Sequence, residues 1–233
     1  MKKTESLPVP LLIMVVTILI IISGCKKEDD DSSGIKDSDG NTYKIVTIGT
    51  QVWFGENLKT TRYNDGTAIP LVTDAVTWDG LSTPAYCWMD NDIANKSTYG
   101  ALYNWHAVHT GKLCPTGWHA ATDNDWTTLV DYVGGAAVAG GKLKSTRTTP
   151  DAHPRWDSPN TGATDEYKFS ALPEGGRSSG GEFSTKGKYG TWWSATEWTS
   201  SGAYLRDMYA DRSDVFKGGS NKEHGFSVRC IKD

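Results

Sequence analysis

Apolar residues recur at helical spacing in residues 122–135. Positions i, i+3, i+4 and i+7 of this stretch are all apolar, which marks one face of an α-helix, and they are Trp126, Leu129, Val130 and Val133. Thr122 precedes them and Asp125 follows three residues later, the spacing of a capping box. The glycine pair at 134–135 favours termination. The pattern therefore predicts an amphipathic helix that begins at Thr122.

A second stretch with helical spacing lies upstream, in residues 97–111. Its apolar positions also fall three and four residues apart, and they are Ala101, Leu102, Trp105 and Val108. The stretch ends at a glycine, a frequent helix terminator. We expect a continuous helix here.

Strand patterns flank these helices. Residues 43–48 and 51–54 are rich in β-branched and aromatic side chains, and the Gly49-Thr50 pair between them predicts a hairpin. Short β-prone runs separated by turn residues follow late in the chain, at residues 191–196, 203–210 and 226–231. Two early helices and late strands predict a single loop-rich α+β domain with mostly antiparallel strands, over residues 38–233.

The amino-terminal apolar run covers residues 11–22 and follows Lys2 and Lys3. A membrane-spanning helix needs roughly 20 apolar residues, whereas the apolar part of a signal peptide needs about 7 to 15. The length therefore predicts an export signal over residues 1–24.

The run ends in Ile22-Ser23-Gly24-Cys25, which resembles the lipobox of bacterial lipoproteins. In that family the cysteine becomes the first residue of the mature chain and carries acyl chains, which contribute about 0.8 kcal/mol per buried CH₂. The resemblance implies that Cys25 is lipidated and attaches the protein to a lipid bilayer. The alternatives are an ordinary signal peptide and an uncleaved anchor.

Residues 26–34 contain lysine, acidic residues, serine and glycine, with no apolar side chain to bury. This composition predicts a solvated tether over residues 25–37. Acidic runs directly after a lipidated cysteine resemble surface-export signals of lipoproteins in the Bacteroidetes group. The resemblance implies an outer-membrane lipoprotein on the cell surface, with a plain spacer under an inward-facing lipoprotein as the alternative.

Three cysteines remain, Cys87, Cys114 and Cys230, and export would place them in an oxidising compartment. Three pairings are possible. We predict Cys114–Cys230, which would tie the terminal strand to the middle of the domain and contribute about 4 to 5 kcal/mol in the chain-entropy model. Cys87 lies among apolar rings and is expected to be a buried free thiol rather than a nucleophile.

The net charge and the aromatic content of the chain indicate which classes of partner to expect. The 233 residues carry a formal net charge of −4, which provides no basic face for nucleic acid. The 10 tryptophans and 10 tyrosines outnumber the 5 phenylalanines, so much of the apolar mass is in rings with a polar edge, which serve in cores and in binding surfaces alike.

Seven phrases occur in order and carry a family resemblance: GTQVWFGENLKTTRYNDGT (49–67), YGALYNWHAV (99–108), CPTGWHAATDNDW (114–126), AGGKLKS (139–145), PNTGATDEYKFSALPEGGR (159–177), YGTWWSATE (189–197) and GFSVRC (225–230). They resemble the Fibrobacter succinogenes major paralogous domain, a family of secreted bacterial repeats and lipoproteins with no established activity. The resemblance covers about residues 38 to 233.

The middle-helix phrase and the terminal GFSVR also resemble formylglycine-generating-enzyme-like domains, whose fold belongs to the C-type-lectin-like group. This implies a C-type-lectin-like fold with its ends tied together. Those enzymes use a pair of active-site cysteines, and the predicted disulfide leaves only Cys87. The resemblance therefore argues against that activity.

Direct searches for chemistry select no catalytic residue, metal site or cofactor. The H-E-x-x-H, P-loop and G-x-G-x-x-G patterns are absent. His106 and His109 have metal-compatible spacing without a third ligand, and residues 90–92 offer oxygens for calcium without the rest of an EF-hand loop. A glycosidase pair is defined by separation in space, so the sequence selects none.

Late aromatic residues are the remaining candidates. Five of them lie in glycine- and serine-rich segments, where rings can stack on sugars or bind protein, and they are Trp156, Trp193, Trp198, Tyr204 and Tyr209. The alternative is that they fill the core. We expect a surface-anchored, non-catalytic recognition module for a glycan or a protein. The alternatives are an enzyme on the formylglycine-generating-enzyme-like fold and a structural component of the cell envelope.

Overall fold

The structure is a computed structural model that describes Met1, residues 34–184 and residues 186–233. The expected export segment, Cys25 and most of the expected tether lie outside these residues. Ordered structure begins before residue 38, because Ile35–Lys36 pairs with Thr42–Tyr43 and Asp37 accepts hydrogen bonds from the backbone amides of Asp39 and Asn41.

The domain is α+β, as predicted, and its elements are short. Within the described ranges the strands are β1 (Ile35–Lys36), β2 (Thr42–Tyr43), β3 (Ile45–Ile48), β4 (Gln51–Phe54), β5 (Tyr86–Trp88), β6 (Ala101–Tyr103), β7 (Trp118–Ala120), β8 (Tyr189–Thr199), β9 (Gly202–Tyr209), β10 (Val215–Asn221) and β11 (Cys230–Lys232). The helices are α1 (Ala75–Trp78), α2 (Lys96–Tyr99), α3 (Trp105–Val108), α4 (Asp123–Tyr132) and α5 (Ala136–Leu143), with 3₁₀ turns at Met89–Asn91 and Ile93–Asn95.

The strands form four small antiparallel sheets in the described part of the chain. Their orders are β1-β2, β3-β4-β11-β7, β5-β6 and β10-β9-β8. The last strand, β11, lies between β4 and β7, so it joins the beginning and the middle of the domain. The predicted disulfide is present, with Cys114 bonded to Cys230 at 1.99 Å, and it fastens β11 to the segment before β7.

The predicted hairpin and the predicted later helix are both confirmed. Ile48 pairs with Gln51 across Gly49-Thr50, and Gly49 supplies the positive φ of the turn. In α4, the Thr122 side chain accepts from the Asp125 amide and the Asp125 carboxylate accepts from the Thr122 amide, which is the predicted capping box.

The continuous helix expected at residues 97–111 is wrong. The chain forms α2, then β6, then α3, because Gly100 adopts φ +78° and ends α2, and β6 then pairs with β5. The sheet contacts of residues 101–103 outweigh the helical spacing of their side chains. Helix α5 was not predicted.

Aromatic rings fill much of the core. Trp126 of α4 lies 5.2 Å from Trp53 of β4 and 5.8 Å from Phe169, measured between ring centroids, and all three are fully buried. The rings therefore hold the β3-β4 hairpin, α4 and the loop around residue 169 together.

Candidate functional site

The sheet β10-β9-β8 borders a groove of about 610 Å³. Two cross-strand pairs, Tyr189 with Tyr209 and Thr191 with Asp207, contribute side chains to it. Paired residues of an antiparallel sheet point to the same face, so these four side chains form one surface of the groove. The same sheet also contributes Leu205, Gly219 and Ser220, and neighbouring segments contribute Gly176, Ser178, Glu182, Phe183, Ser184, His224 and Phe226.

Asp207 lies at the centre of this surface. One carboxylate oxygen accepts a hydrogen bond from the Thr191 hydroxyl at 2.6 Å, and the other accepts one from the Tyr209 hydroxyl at 3.2 Å. Burial raises the pKa of Asp207, and these two hydrogen bonds oppose the effect. Burial, and then the charge of Asp207, raises the pKa of Tyr209 to about 12, so Tyr209 stays a protonated donor at neutral pH.

The two tyrosine rings lie side by side. Their centroids are 5.9 Å apart with an interplanar angle of 39°. The Arg212 guanidinium lies 4.5 Å from the Tyr209 ring centroid and also forms an ion pair of 3.2 Å with Asp214. Tyr209 borders a second cavity of about 370 Å³ together with Asp211, Arg212 and Phe216. The tyrosine pair thus provides aromatic surface next to a carboxylate and a hydroxyl.

Two of the five predicted aromatics are not available to a ligand. Trp156 and Trp193 are 0% and 1% exposed, which contradicts the prediction for both. The Trp156 indole donates to the Ala171 carbonyl at 3.1 Å, and the Trp193 indole donates to the Tyr103 carbonyl at 2.9 Å. Because the polar edge of each ring is satisfied inside the protein, both rings can serve the core.

Of the other three predicted aromatics, Trp198 and Tyr204 are neighbours and Tyr209 lies apart from them. Trp198 is 55% exposed, with its ring centroid 6.3 Å from that of Tyr204. Successive side chains of a strand point to opposite faces of the sheet. Tyr204 lies an odd number of positions from both Asp207 and Tyr209 on β9, so it points to the opposite face from them. Tyr209 alone of the five belongs to the groove.

Of the groove lining, sequence reasoning predicted only Tyr209, and it missed the three residues that share its sheet surface, Tyr189, Thr191 and Asp207. The two-residue repeat of a β-strand offers a signal for them. Residues 189 and 191 of β8, and residues 207 and 209 of β9, are each polar or tyrosine and lie on one face of their strand. The pairing that brings the two strands into this register is a tertiary property, and no local pattern specifies it.

Cys87 is buried, as predicted, and it is the free cysteine of the described residues. Burial raises the pKa of its thiol to about 12. Because the thiolate is the nucleophilic form, this environment disfavours nucleophilic chemistry at Cys87.

Several of the side chains considered for metal binding make other contacts. His109 stacks on Trp105 at 4.4 Å, Asp90 pairs with Lys186 at 2.7 Å, and Asp92 caps the amide of Ala94. In residues 34–184 and 186–233, no group of three or more histidine, cysteine or acidic side chains has the arrangement of a metal site. Within the same ranges, no helix combines the length and the apolar character that crossing a membrane requires.

Comparison with known proteins gives one finding. Neither the curated proteins nor the solved structures include a match to this chain. The model of the Fibrobacter succinogenes major domain matches residues 46–232, which is most of the chain and contains the disulfide, the hairpin β3-β4 and the groove. The protein therefore belongs to the Fibrobacter succinogenes major domain family.

Proposed function

We propose that this protein is a surface-exposed outer-membrane lipoprotein whose C-type-lectin-like domain recognises a saccharide without catalysing a reaction. The groove on the β10-β9-β8 sheet is the proposed binding site. The observation that carries the proposal is the pair Tyr189 and Tyr209 beside the carboxylate of Asp207.

The composition of the groove suits a sugar. Sugar rings present apolar C–H faces that pack on aromatic rings, and their hydroxyl groups need both donors and acceptors. The tyrosine rings supply the aromatic surface. Asp207, Thr191 and the serines at positions 178 and 184 supply the hydrogen-bonding groups. Small-ligand sites typically combine concave apolar surface with a few placed polar groups in this way.

A non-catalytic role is supported by the state of the thiol. An enzyme on the formylglycine-generating-enzyme-like fold would need reactive cysteines, and the disulfide removes Cys114 and Cys230. Burial raises the pKa of the remaining described cysteine, Cys87, to about 12. Cys87, Cys114 and Cys230 are therefore all in environments that suit structural cysteines rather than nucleophiles.

The anchor is proposed from Cys25 and the acidic run that follows it. Palmitate labelling of the protein and of Cys25→Ala tests the lipid attachment, since the variant should lose the label. Protease treatment of intact cells tests display, because a surface-exposed domain is digested. Label retained by Cys25→Ala would contradict lipidation, and a protected domain would contradict surface exposure.

The saccharide proposal is tested on a glycan array with the full-length protein in detergent. Tyr189→Ala should weaken binding by about tenfold or more, the scale of an aromatic contact at the centre of an interface. Tyr132→Ala is the control, because Tyr132 is exposed and, like Tyr189, neighbours a second tyrosine, Tyr167 at 6.0 Å, but lies on α4 outside the groove.

Equal weakening by the two variants, or no bound glycan at all, would overturn the proposal. Binding to immobilised proteins in place of glycans would favour the protein-ligand alternative. Thermal unfolding of each variant separates loss of binding from loss of fold.

A further inference from the structure

Asp207 has no basic partner in the described part of the chain. Burial raises the pKa of Asp207 and the charge of Arg212 lowers it, but the ion pair of this guanidinium is with Asp214 at 3.2 Å, and Lys186 pairs with Asp90 at 2.7 Å. The described lining of the groove contains two carboxylates, Asp207 and the exposed Glu182, and neither lysine nor arginine. The groove is therefore negative in character.

A partly buried carboxylate without an ion-pair partner is energetically costly. Removing a carboxylate from water is unfavourable unless a cation or sufficient hydrogen bonds compensate. The hydroxyl donors of Thr191 and Tyr209, together with the charge of Arg212, compensate only in part, since burial still raises the pKa of Asp207. A cationic ligand group would complete the compensation.

The surroundings select the kind of cation. Each oxygen of Asp207 already accepts one hydrogen bond. These bonds disfavour the bidentate pair that a planar guanidinium forms with both oxygens at once. A compact ammonium group can donate to the remaining lone pairs in several orientations. The Tyr189 ring, which lies beside Tyr209, also attracts an ammonium group within about 6 Å.

We propose that the groove selects a saccharide with a free primary ammonium group, an amino sugar, whose ammonium binds Asp207 while its ring packs on Tyr189 and Tyr209. This deepens the saccharide function proposed above and rests on it. Serine and threonine hydroxyls along the groove serve the neutral hydroxyl groups of such a ligand, which a bare amine does not have.

The test compares two probes that differ in one group. Calorimetric titration of the full-length protein in detergent uses the β-1,4-linked tetramer of glucosamine and the corresponding tetramer of N-acetylglucosamine, at about pH 6 where amines are protonated. The expected result is about tenfold or stronger preference for the glucosamine tetramer. Asp207→Asn keeps the size and an acceptor for Thr191, and should bind the two tetramers equally.

Glu182→Gln is the matched control, because it removes the same charge from an exposed position on the same groove. It should retain the preference, since exposed charges contribute little. Loss of the preference in Glu182→Gln to the same extent as in Asp207→Asn would overturn the specific role of Asp207. Thermal unfolding of both variants confirms that they fold.

The outcomes separate this inference from the saccharide function. Equal wild-type affinity for the two tetramers, or a preference that survives Asp207→Asn, overturns the amino-sugar inference and leaves saccharide recognition standing. Failure to bind these tetramers or any arrayed glycan overturns both. A lysine-rich peptide that binds as tightly as the glucosamine tetramer shows recognition of the ammonium group alone and overturns selection of an amino sugar.

Discussion

The Arg229 guanidinium donates a hydrogen bond from Nε to the Oδ1 atom of Asn57 at 2.8 Å, in the buried centre of the domain. The same Asn57 oxygen accepts from the Trp192 indole at 2.8 Å. Arg229 also donates to the carbonyls of Phe54 and Phe169. The terminal GFSVRC phrase is thus joined to two segments that are distant from each other in sequence, residues 54–57 and the loop at Phe169.

Replacing Arg229 with methionine should lower the free energy of unfolding by about 3 to 5 kcal/mol, because two carbonyls and Asn57 lose buried, charge-assisted partners. Denaturation in urea measures the change. Arg62→Met is the control, since Arg62 is half exposed and its 3.4 Å pair with Asp39 should contribute about 1 kcal/mol or less. Similar losses in the two variants would show that the Arg229 contacts add little.

Glu174 is fully buried near this arginine, and burial raises its pKa to about 8. Neither carboxylate oxygen has a hydrogen-bond partner in the described residues. The folded state therefore holds the proton more tightly than the unfolded state, whose pKa is about 4.5. Its contribution to stability is complete below about pH 4.5 and is lost as the pH rises through about 8.

The glutamine side chain in Glu174→Gln has no titrating proton, so the variant should lack the pH dependence of stability that Glu174 causes. Relative to the wild type, the variant should gain a few kcal/mol of unfolding free energy between about pH 5 and pH 9. Urea denaturation at the two pH values measures the difference, and other titrating groups cancel because both proteins share them. A wild-type to variant difference that stays constant with pH would contradict a raised pKa.

His119 links the carboxyl-terminal residue to α4. Its Nδ1 lies 2.7 Å from an Asp233 carboxylate oxygen and its Nε2 lies 3.1 Å from an Asp125 oxygen. The hydrogen bond with Asp125, followed by that with Asp233, raises the pKa of His119 against the effect of burial. This contribution to stability is complete below about pH 6.5 and disappears as the pH rises through the raised folded pKa.

Titration of the imidazole by nuclear magnetic resonance should therefore find a pKa above 6.5 in the folded protein, and Asp233→Asn should lower it. Asp233→Asn leaves the Thr122 capping box intact, so the unfolding free energy should change by about 1 kcal/mol or less. An unchanged His119 pKa in this variant would show that Asp233 does not hold the imidazolium.

Local sequence patterns correctly predict those parts of the fold that depend on interactions between residues close together in sequence. The capping box at Thr122, the Gly49-Thr50 hairpin and the burial of Cys87 all depend on immediate neighbours. The groove depends on the register of β8 against β9, which pairs Thr191 with Asp207 across 16 positions of sequence. Residue type alone also does not separate buried Trp193 from exposed Trp198, since both occur in the same strand.

The broken helix at residues 97–111 shows a different limit. Four apolar residues at helical spacing favour one helix, but they satisfy a strand and two helical turns equally well once Gly100 turns the chain. A β-carbon at Gly100 would lie 2.7 Å from the Leu58 carbonyl oxygen and 2.8 Å from Cβ of Asn57. Residues 57–58 therefore occupy the space that the β-carbon of any other residue at position 100 would need.

Gly100→Ala should lower the free energy of unfolding by about 3 kcal/mol or more, since it combines a strained positive φ with a clash against backbone. Gly66→Ala isolates the first effect, because Gly66 has φ +85° and no atom within 4 Å of its β-carbon position, and should cost about 1 kcal/mol. Urea denaturation measures both. Equal costs would show that the close approach of residues 57–58 to Gly100 does not oppose the added methyl group, and that the break between α2 and β6 depends on φ alone.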